Sequence, residues 1–311
     1  MMRWLEIAPG FACNCRCPGC FSCDANPASQ MDWPQVLQWM RTGRAQGASG
    51  LWLGGGEPTM RRDFLKTLRV ATQLGYSRRK VQSNGLLFSY PQMVAKAVDA
   101  GMTDVGLLLK SLDPSLHDEL NGLPGAHALL DKAVDLLAAQ PLRLEGDILL
   151  TSRNYREVPD LIAHYAGRGL VHFNIWLFSL ADTADERLRA LVPRLVEAMP
   201  HVARGREVAL SLGATLCSLH TPHCLVPAEH WAMHFDVVGT AMFIANPGDR
   251  GFMLQDSPME QAAWLDECQR CALRGPCRGV RSEIVTLHGA EGIHAVSAEQ
   301  AAGFEVAGMI L

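Results

Sequence analysis

Hydrophobic and polar positions follow a regular rhythm over the first two thirds of this chain of 311 residues. Short runs rich in apolar residues, bounded by glycine, proline or small polar residues, alternate with segments whose apolar residues recur every three or four positions. The first pattern is typical of buried strands and the second of amphipathic helices. Six pairs of strand and helix are predicted, with the strands at residues 3–8, 50–53, 80–82, 104–109, 142–150 and 171–178.

Capping residues mark the helix boundaries. Asp32 precedes Pro34, and this arrangement favours a helix start after the first strand. Asp63 is expected to open the second helix and Gly75 to close it. The remaining helices are predicted at residues 91–100, 126–139, 158–166 and 186–199.

Alternation of strands and helices with short connections predicts an α/β fold with a parallel sheet and right-handed crossovers. The unusual residues follow the carboxyl ends of successive strands, at residues 13–20, 55–57, 83–85, 110–113 and 151–154. In barrels of this kind that face carries the active site. Residues 1–205 are therefore predicted to form a partial (β/α)6 barrel.

The rhythm breaks from about residue 206. Further strands are predicted at residues 208–212, 237–244 and 284–287, with cysteines interspersed. This pattern indicates a separate small α+β module over residues 206–311 that metal ligation holds together.

Half of the ten cysteines lie between residues 13 and 23. The spacing Cys13-x3-Cys17-x2-Cys20 offers three thiolates, which can hold three irons of a [4Fe-4S] cluster and leave the fourth without a protein ligand. Disulfides are disfavoured because nothing marks the chain for export. A zinc site would pair C-x2-C with a second pair or with histidines, and this loop lacks that spacing.

The three-cysteine spacing, followed by Phe21, resembles the cluster loop of the radical S-adenosylmethionine (SAM) superfamily. The resemblance implies a TIM-like partial barrel and a vacant iron chelated by SAM, with Phe21 beside the cofactor. It also implies an enzyme that reductively cleaves SAM to a 5'-deoxyadenosyl radical, which takes a hydrogen atom from the substrate.

Further segments resemble the SAM-binding parts of this superfamily. The resemblance implies that Gly55, Gly56 and Glu57 line the SAM amino group, although a plain glycine turn is the alternative. The other SAM contacts implied for the ribose, carboxylate or adenine are Ser83, Asn84, Ser111, Thr151, Arg153 and Ile175. Ser-Asn-Gly is also a common turn.

Lys110 precedes Ser111-Leu112-Asp113, which is more typical of the glycyl-radical activating enzymes. The resemblance implies a catalytic role in which Lys110 pairs with the SAM carboxylate. The alternative is a solvated strand end.

The C-terminal region carries Cys268-x2-Cys271-x5-Cys277, with Cys217 and Cys224 upstream. C-x2-C alone is compatible with zinc. Together with the cluster loop, the arrangement resembles the SPASM or Twitch extensions that bind auxiliary clusters. The resemblance favours Cys224, Cys268, Cys271 and Cys277 as ligands of one auxiliary [4Fe-4S] cluster. Cys217 is a spare thiol, another ligand or a catalytic hydrogen-atom donor, and Cys15 and Cys23 are predicted to be spare.

Charge and hydropathy exclude some partners. A net charge of -4 lacks the positive excess that attracts nucleic acid. No apolar run reaches the roughly 20 residues that a membrane span needs. Because no signal peptide is visible, a cytoplasmic location is expected. Because the first strand begins at residue 3, no separate leader-binding domain is expected ahead of it.

The resemblance implies an external one-electron reductant such as flavodoxin or ferredoxin. It favours a peptide or protein substrate of ribosomal origin, with a small sugar, aminoglycoside or cofactor precursor as the alternative. Two alternatives come from other classes. Tight SAM binding would argue against a non-catalytic iron-sulfur electron carrier, and a brown colour of the anaerobically purified protein would argue against a zinc-stapled binding module.

Overall fold

The computed structural model describes residues 2–20, 22, 29–178, 185–248, 250–257 and 262–304. The chain divides into two compact units. The first unit comprises residues 1–146, 168–171 and 240–254, and the second comprises residues 147–167, 172–239 and 255–311.

Nine strands are described within these ranges. They are β1 (Trp4–Ile7), β2 (Gly50–Leu53), β3 (Arg78–Ser83), β4 (Asp104–Leu109), β5 (Arg143–Leu150), β6 (Leu170–Leu177), β7 (Thr215–Leu219), β8 (Met242–Asn246) and β9 (Arg250–Met253). Within the first unit the strands are hydrogen-bonded in the order β4-β3-β2-β1-β8-β9, and all these pairs are parallel except β8 with β9. Within the second unit, β6 pairs with β7 in parallel. The prediction of an α/β fold with a parallel sheet is confirmed.

All of the described α-helices except the last connect successive strands. The α-helices are α1 (Trp33–Ala45), α2 (Phe64–Gln73), α3 (Pro91–Asp99), α4 (Pro114–Asn121), α5 (Ala126–Ala138), α6 (Val158–Ala166), α7 (Glu186–Arg189), α8 (Leu195–Ser211) and α9 (Ser282–His288). Short 3-10 helices lie at Pro58–Met60, Leu86–Ser89, Tyr155–Glu157, His223–Leu225, Ala228–Met233, Leu254–Asp256 and Asp266–Arg270. None of the helices in the described ranges is long and apolar enough to cross a membrane.

Helix α1 shows how the local sequence sets an element. Asp32 accepts a hydrogen bond from the backbone N–H of Gln35 (2.9 Å), and the Gln35 side chain accepts one from the Asp32 backbone (3.0 Å), which forms a capping box. The helix packs closely on β1 at Gly43, where a Cβ would lie 2.7 Å from Leu5. One face of β1 is therefore covered by α1.

Three sequence expectations in the second unit are wrong. Residues 208–212 belong to the end of α8 and its cap, and residues 284–287 lie within α9. Ala209 is fully buried while Leu210 and Leu212 are half exposed, so the apolar run follows a helical period that a short window cannot distinguish from a strand. The helix expected over residues 186–199 is two helices, α7 and α8. The predicted boundary between residues 205 and 206, which lies within α8, stays a prediction.

Candidate functional site

The cysteine loop of the first unit lies against the glycine turn that follows β2. Gly56 N donates to Gly10 O (2.9 Å), and Glu57 N donates to Ala12 O (2.8 Å). A Cβ on Gly55 would lie 2.6 Å from Gly10 O, and one on Gly56 would lie 2.3 Å from Ala12 O. Both positions therefore require glycine for this close backbone approach.

Three cysteines of the loop lie together. Cys15 is buried, its backbone N–H donates to Cys13 Sγ (3.4 Å), and its single S–H has the sulfurs of Cys13 and Cys17 as alternative acceptors. Hydrogen bonding from Cys15 lowers the pKa of Cys13 to about 7 and that of Cys17 to about 6, although burial opposes both shifts. The same hydrogen bonds, with burial, raise the pKa of Cys15. Cys13 and Cys17 therefore carry much thiolate at neutral pH, which is the form that binds metal.

Cys20, the third predicted ligand, lies on the same turn. Its backbone N–H donates to Cys17 O (3.2 Å), and its side chain is half-buried. Phe21 and Cys23 lie outside the described residues. Among the described residues, no three His, Cys, Asp or Glu side chains are arranged to hold a single metal ion. In a [4Fe-4S] cluster the thiolates bind different irons, so they need not meet at one point.

The loop after β3 binds the cysteine loop directly. The Asn84 amide donates to Asn14 Oδ1 (2.7 Å) and contacts the sulfurs of Cys15 (3.4 Å) and Cys13 (3.8 Å). Asn84 therefore orders this loop by hydrogen bonds to the sulfurs and to Asn14.

The Glu57 side chain faces the end of β3. Its carboxylate accepts hydrogen bonds from Ser83 Oγ (3.0 Å), from Asn84 N (2.9 Å) and from Thr59. Burial raises the pKa of Glu57, and these hydrogen bonds oppose the shift. Ser83 and Glu57 thus hold each other in place, and their contacts with SAM stay predictions.

Lys110 is buried at the end of β4, so the alternative of a solvated strand end is wrong. Its Nζ donates to Leu120 O (2.5 Å) at the end of α4. After the Cys15 hydrogen bond, the charge and hydrogen bonding of Lys110 also lower the pKa of Cys17. Ser111 Oγ accepts a hydrogen bond from Asp113 N (3.0 Å) and so shapes the start of α4. The roles of Lys110 and Ser111 toward SAM stay predictions.

Three predicted SAM contacts belong to the second unit. Thr151 Oγ1 donates to Asn154 Oδ1 (2.9 Å), which closes the turn after β5. Arg153 is exposed, and Ile175 is fully buried in β6. Their contacts with SAM stay predictions.

The four cysteines predicted as auxiliary ligands line one cavity of the second unit, with Trp264, Leu273, Val280 and Ile293 among its apolar walls. Burial raises the pKa of Cys224 to about 11, and the thiols of Cys277, Cys271 and Cys268 add to the increase. Burial also raises the pKa of Cys277. Such thiols lose their protons when they bind a metal, because the positive charge of the metal stabilises the thiolates.

Backbone N–H groups face these sulfurs. Val296 N donates to Cys271 Sγ (3.4 Å), and the amides of His223 and Gly279 donate to Cys277. The fifth cysteine of the region, Cys217, is fully buried in β7 opposite Asn174 and does not line this cavity. The catalytic role of Cys217 stays a prediction.

Arg61 holds the two ends of the segment that contains the cysteines. Its guanidinium donates to Pro9 O (3.0 Å) and Met31 O (3.1 Å) and pairs with Asp63 (2.8 Å). No local pattern predicts this contact. The supporting role of Cys15 could have been predicted from the alternation Cys-x-Cys-x-Cys, because this spacing places a third thiol between two predicted ligands.

Residues 7–140 match the family model of the radical SAM superfamily. The chain carries a radical SAM domain. This domain includes the cysteine loop, the glycine turn, Asn84 and Lys110. Members of the superfamily are enzymes, so the prediction of an enzyme is confirmed at that level. A radical SAM domain implies a [4Fe-4S] cluster and SAM, and the donor set of the cysteine loop fits that requirement.

Two curated relatives resemble the chain over part of its length. A "Probable GTP 3',8-cyclase" of Sulfurisphaera tokodaii is 27% identical over 159 residues, which are 51% of this chain and 50% of the relative. An AdoMet-dependent heme synthase of Methanosarcina barkeri is 24% identical over 188 residues, which are 60% of this chain and 52% of the relative. The chain thus spans about half the length of the curated relatives it matches.

Solved radical SAM structures have a similar fold. SuiB of Streptococcus suis bound to S-adenosylmethionine gives a TM-score of 0.65 at 15% identity, over 95% of this chain and 76% of SuiB. SuiB bound to its precursor peptide SuiA gives 0.66 at 13% identity, over 96% of this chain and 75% of SuiB. Native anSMEcpe with bound AdoMet gives a TM-score of 0.59 at 14% identity, over 91% of this chain and 90% of anSMEcpe. At these identities the likeness is one of fold.

Proposed function

We propose that this protein reductively cleaves SAM and uses the resulting radical to remove a hydrogen atom from a substrate. When bound, a [4Fe-4S] cluster with one open iron supplies an electron to SAM, whose cleavage yields methionine and a 5'-deoxyadenosyl radical. The observation that carries the proposal is the match of residues 7–140 to the radical SAM family model, within which Cys13, Cys17 and Cys20 lie on one loop.

The residues of this loop have distinct tasks in the proposal. Cys13, Cys17 and Cys20 would each hold one iron. Cys15 and Asn84 would donate hydrogen bonds to the sulfur of Cys13, which stabilises thiolate charge and orients the loop. Lys110 would place a positive charge beside Cys17. The glycine turn keeps side chains out of the space where the loop and SAM meet.

We also propose one auxiliary [4Fe-4S] cluster in the second unit. Cys224, Cys268, Cys271 and Cys277 line one cavity, and four protein thiolates leave no open iron. Such a closed cluster would not bind substrate. It would accept the electron that the substrate radical gives up after losing its hydrogen atom, so the net reaction would be a two-electron oxidation of the substrate. If Cys217 instead returned a hydrogen atom, the reaction would be redox-neutral.

A peptide or protein is the first candidate substrate. Support comes from the fold, which is similar over 96% of this chain to SuiB with its precursor peptide bound. The second candidate is a small molecule such as a nucleotide or cofactor precursor. It is favoured by relatives named GTP 3',8-cyclase and heme synthase, which match 51% and 60% of this chain. In either case an external reductant such as flavodoxin or ferredoxin would supply the electron.

Anaerobic reconstitution followed by mass spectrometry of 5'-deoxyadenosine tests the function. Wild-type protein with SAM and dithionite is expected to release 5'-deoxyadenosine, and the true substrate class to increase the rate. Peptide pools, GTP and small sugars form the separate arms. The control is a variant with Cys13, Cys17 and Cys20 replaced by alanine. Equal yields from the two proteins would refute SAM cleavage.

Iron content tests the two clusters separately. Two [4Fe-4S] clusters predict about eight irons per wild-type chain, and about four in either the triple variant or a variant lacking Cys224, Cys268, Cys271 and Cys277. The second variant should keep uncoupled SAM cleavage while losing substrate oxidation. About four irons in the wild type would contradict the auxiliary cluster.

A further inference from the structure

Glu6 is an acidic residue in the middle of β1, which has hydrogen-bonded neighbours on both sides. Leu5 and Ile7 are fully buried, and Leu5 packs on α1. Alternation along the strand places Glu6 on the opposite face. There it keeps partial solvent accessibility. Among the described residues, nothing donates a hydrogen bond to its carboxylate or pairs with it within ion-pair distance.

Gly54 makes the space that the Glu6 carboxylate occupies. A Cβ on Gly54 would lie 2.8 Å from Glu6 Oε1. Unlike Gly55, Gly54 has no positive φ that would itself require glycine. The sequence thus has one glycine more than the Gly-Gly-Glu segment needs, and the structure explains it. The carboxylate reaches the base of the turn that lies against the cysteine loop.

Trp52 on β2 and Lys80 on β3 lie in register with Glu6, and neither donates a hydrogen bond to its carboxylate. Glu6 pairs in register with Trp52, and Trp52 pairs with Lys80. Lys80 forms an ion pair with Glu145 (Nζ to Oε2, 2.6 Å), and its Nζ lies over the Trp52 ring, 3.7 Å from the ring centre. Trp52 is buried, and its indole N–H has no hydrogen-bond partner in the described part of the chain. Unsatisfied groups of this kind indicate a missing partner.

A purely structural role does not account for Glu6. Burial raises the pKa of Glu6 to about 7, and Lys80 only partly opposes the shift. A carboxylate that makes no hydrogen bond or ion pair with the described residues does not hold the fold together, and its partial accessibility leaves it open to a ligand. Lys80 directs its ammonium to Glu145, which also pairs with Arg78 and Arg143, and Lys80 lies outside ion-pair distance of Glu6.

We propose that Glu6 contacts the substrate, and that its carboxylate accepts a hydrogen bond from an ammonium, hydroxyl or amide group of that substrate. Gly54 is the positioning residue that leaves room for the carboxylate. This inference rests on the proposed function. It adds that the substrate carries a hydrogen-bond donor, which Glu6 binds. The donor group can come from a peptide side chain or from an amino sugar, and the test separates these sources.

The test compares probes that differ in one donor group, in the presence of SAM. One arm uses hexapeptides identical except for Lys against norleucine, or Ser against Ala. The other arm uses glucosamine against 2-deoxyglucose. Calorimetric dissociation constants of the wild type should favour the donor-bearing member of at least one pair by roughly tenfold, as expected for a hydrogen bond to a charged group.

Two variants isolate Glu6. Glu6→Leu should abolish the preference while the dissociation constant of SAM stays within twofold of the wild type. Gly54→Ala keeps Glu6 but displaces its carboxylate, so the preference should fall without disappearing. Equal binding of both members of every pair, binding of none of them, or a preference that survives in Glu6→Leu overturns the assignment. Failure of the wild type to bind SAM would instead count against the proposed function.

Discussion

Cys15 connects two predicted cluster ligands through a single buried thiol. Its backbone N–H donates to Cys13, and its S–H has Cys13 and Cys17 as alternative acceptors, so it stabilises both thiolates in the metal-free protein. The sequence predicts Cys15 to be spare, since only the spacing of residues 13, 17 and 20 fits the motif. The structure gives it a supporting role that depends on the path of the loop.

Replacing Cys15 with alanine should raise the pKa of both neighbouring thiols. The values of about 7 for Cys13 and about 6 for Cys17 should move toward the ordinary value of about 8.5 for cysteine. The pH dependence of iodoacetamide alkylation, resolved by peptide mass spectrometry on metal-free protein, measures this shift. Cys224 serves as the internal control, and unchanged profiles for Cys13 and Cys17 would contradict the hydrogen bonds.

Lys110 should act on Cys17 from the other side. Lys110→Met removes the ammonium that stabilises the Cys17 thiolate, so the pKa of Cys17 should rise and its alkylation at pH 7 should slow severalfold. Lys110→Arg keeps the charge and should restore most of the reactivity. Lost SAM affinity with unchanged Cys17 reactivity would instead favour the predicted pairing of Lys110 with the SAM carboxylate.

At the scale of elements, the cysteine segment is anchored at both ends. Met31 N donates to Pro9 O (2.8 Å), and Arg61 donates to the carbonyls of Pro9 and Met31. Asp63, the residue before α2, fixes the guanidinium. The start of one helix thus sets the base of the loop that follows β1.

Arg61→Met should loosen this base. Loss of charge-assisted hydrogen bonds to two carbonyls should lower the free energy of unfolding by about 1–3 kcal/mol and reduce the iron bound on reconstitution. Urea denaturation and iron analysis measure the two effects. Arg62→Met is the matched control, because Arg62 is exposed. Equal behaviour of the two variants would show that the anchor has no effect.

At the scale of the whole molecule, buried neutral histidines make folding sensitive to acid. His223 and His234 are buried and stack with ring centroids 3.8 Å apart. Burial lowers the pKa of His223 to about 2 and that of His234 to about 4. A histidine with a lower pKa in the folded than in the unfolded state contributes stability that is lost as the pH falls below about 6.5.

His234→Phe should remove part of this acid sensitivity. Between pH 6.5 and 5 the wild type should lose about 1–2 kcal/mol of unfolding free energy relative to the variant, since each pH unit below the unfolded pKa costs about 1.4 kcal/mol. Urea unfolding followed by tryptophan fluorescence across this range measures the difference. The exposed His164→Gln is the control and should keep the wild-type slope. Parallel curves for His234→Phe and wild type would contradict the prediction.

Local sequence accounts for the alternation of strands and helices and for the three-cysteine motif. Both depend on residues close together in the chain: the bounds of β2, β4 and α6 follow from apolar runs and punctuating residues, and the capping box of α1 lies within four positions. Short apolar runs such as residues 208–212 were ambiguous for the same reason, because five residues fit either period.

The contacts that these motifs make depend on how the chain folds. Glu6 against Gly54, Lys110 beside Cys17 and Arg61 on Pro9 join positions that are far apart in the chain. Neither spacing nor composition encodes such contacts, because strand register and loop path set the distances. The pKa of Cys17 follows from its hydrogen bonds and the charge of Lys110, and that of Glu6 from burial, and these surroundings exist only once the chain has folded.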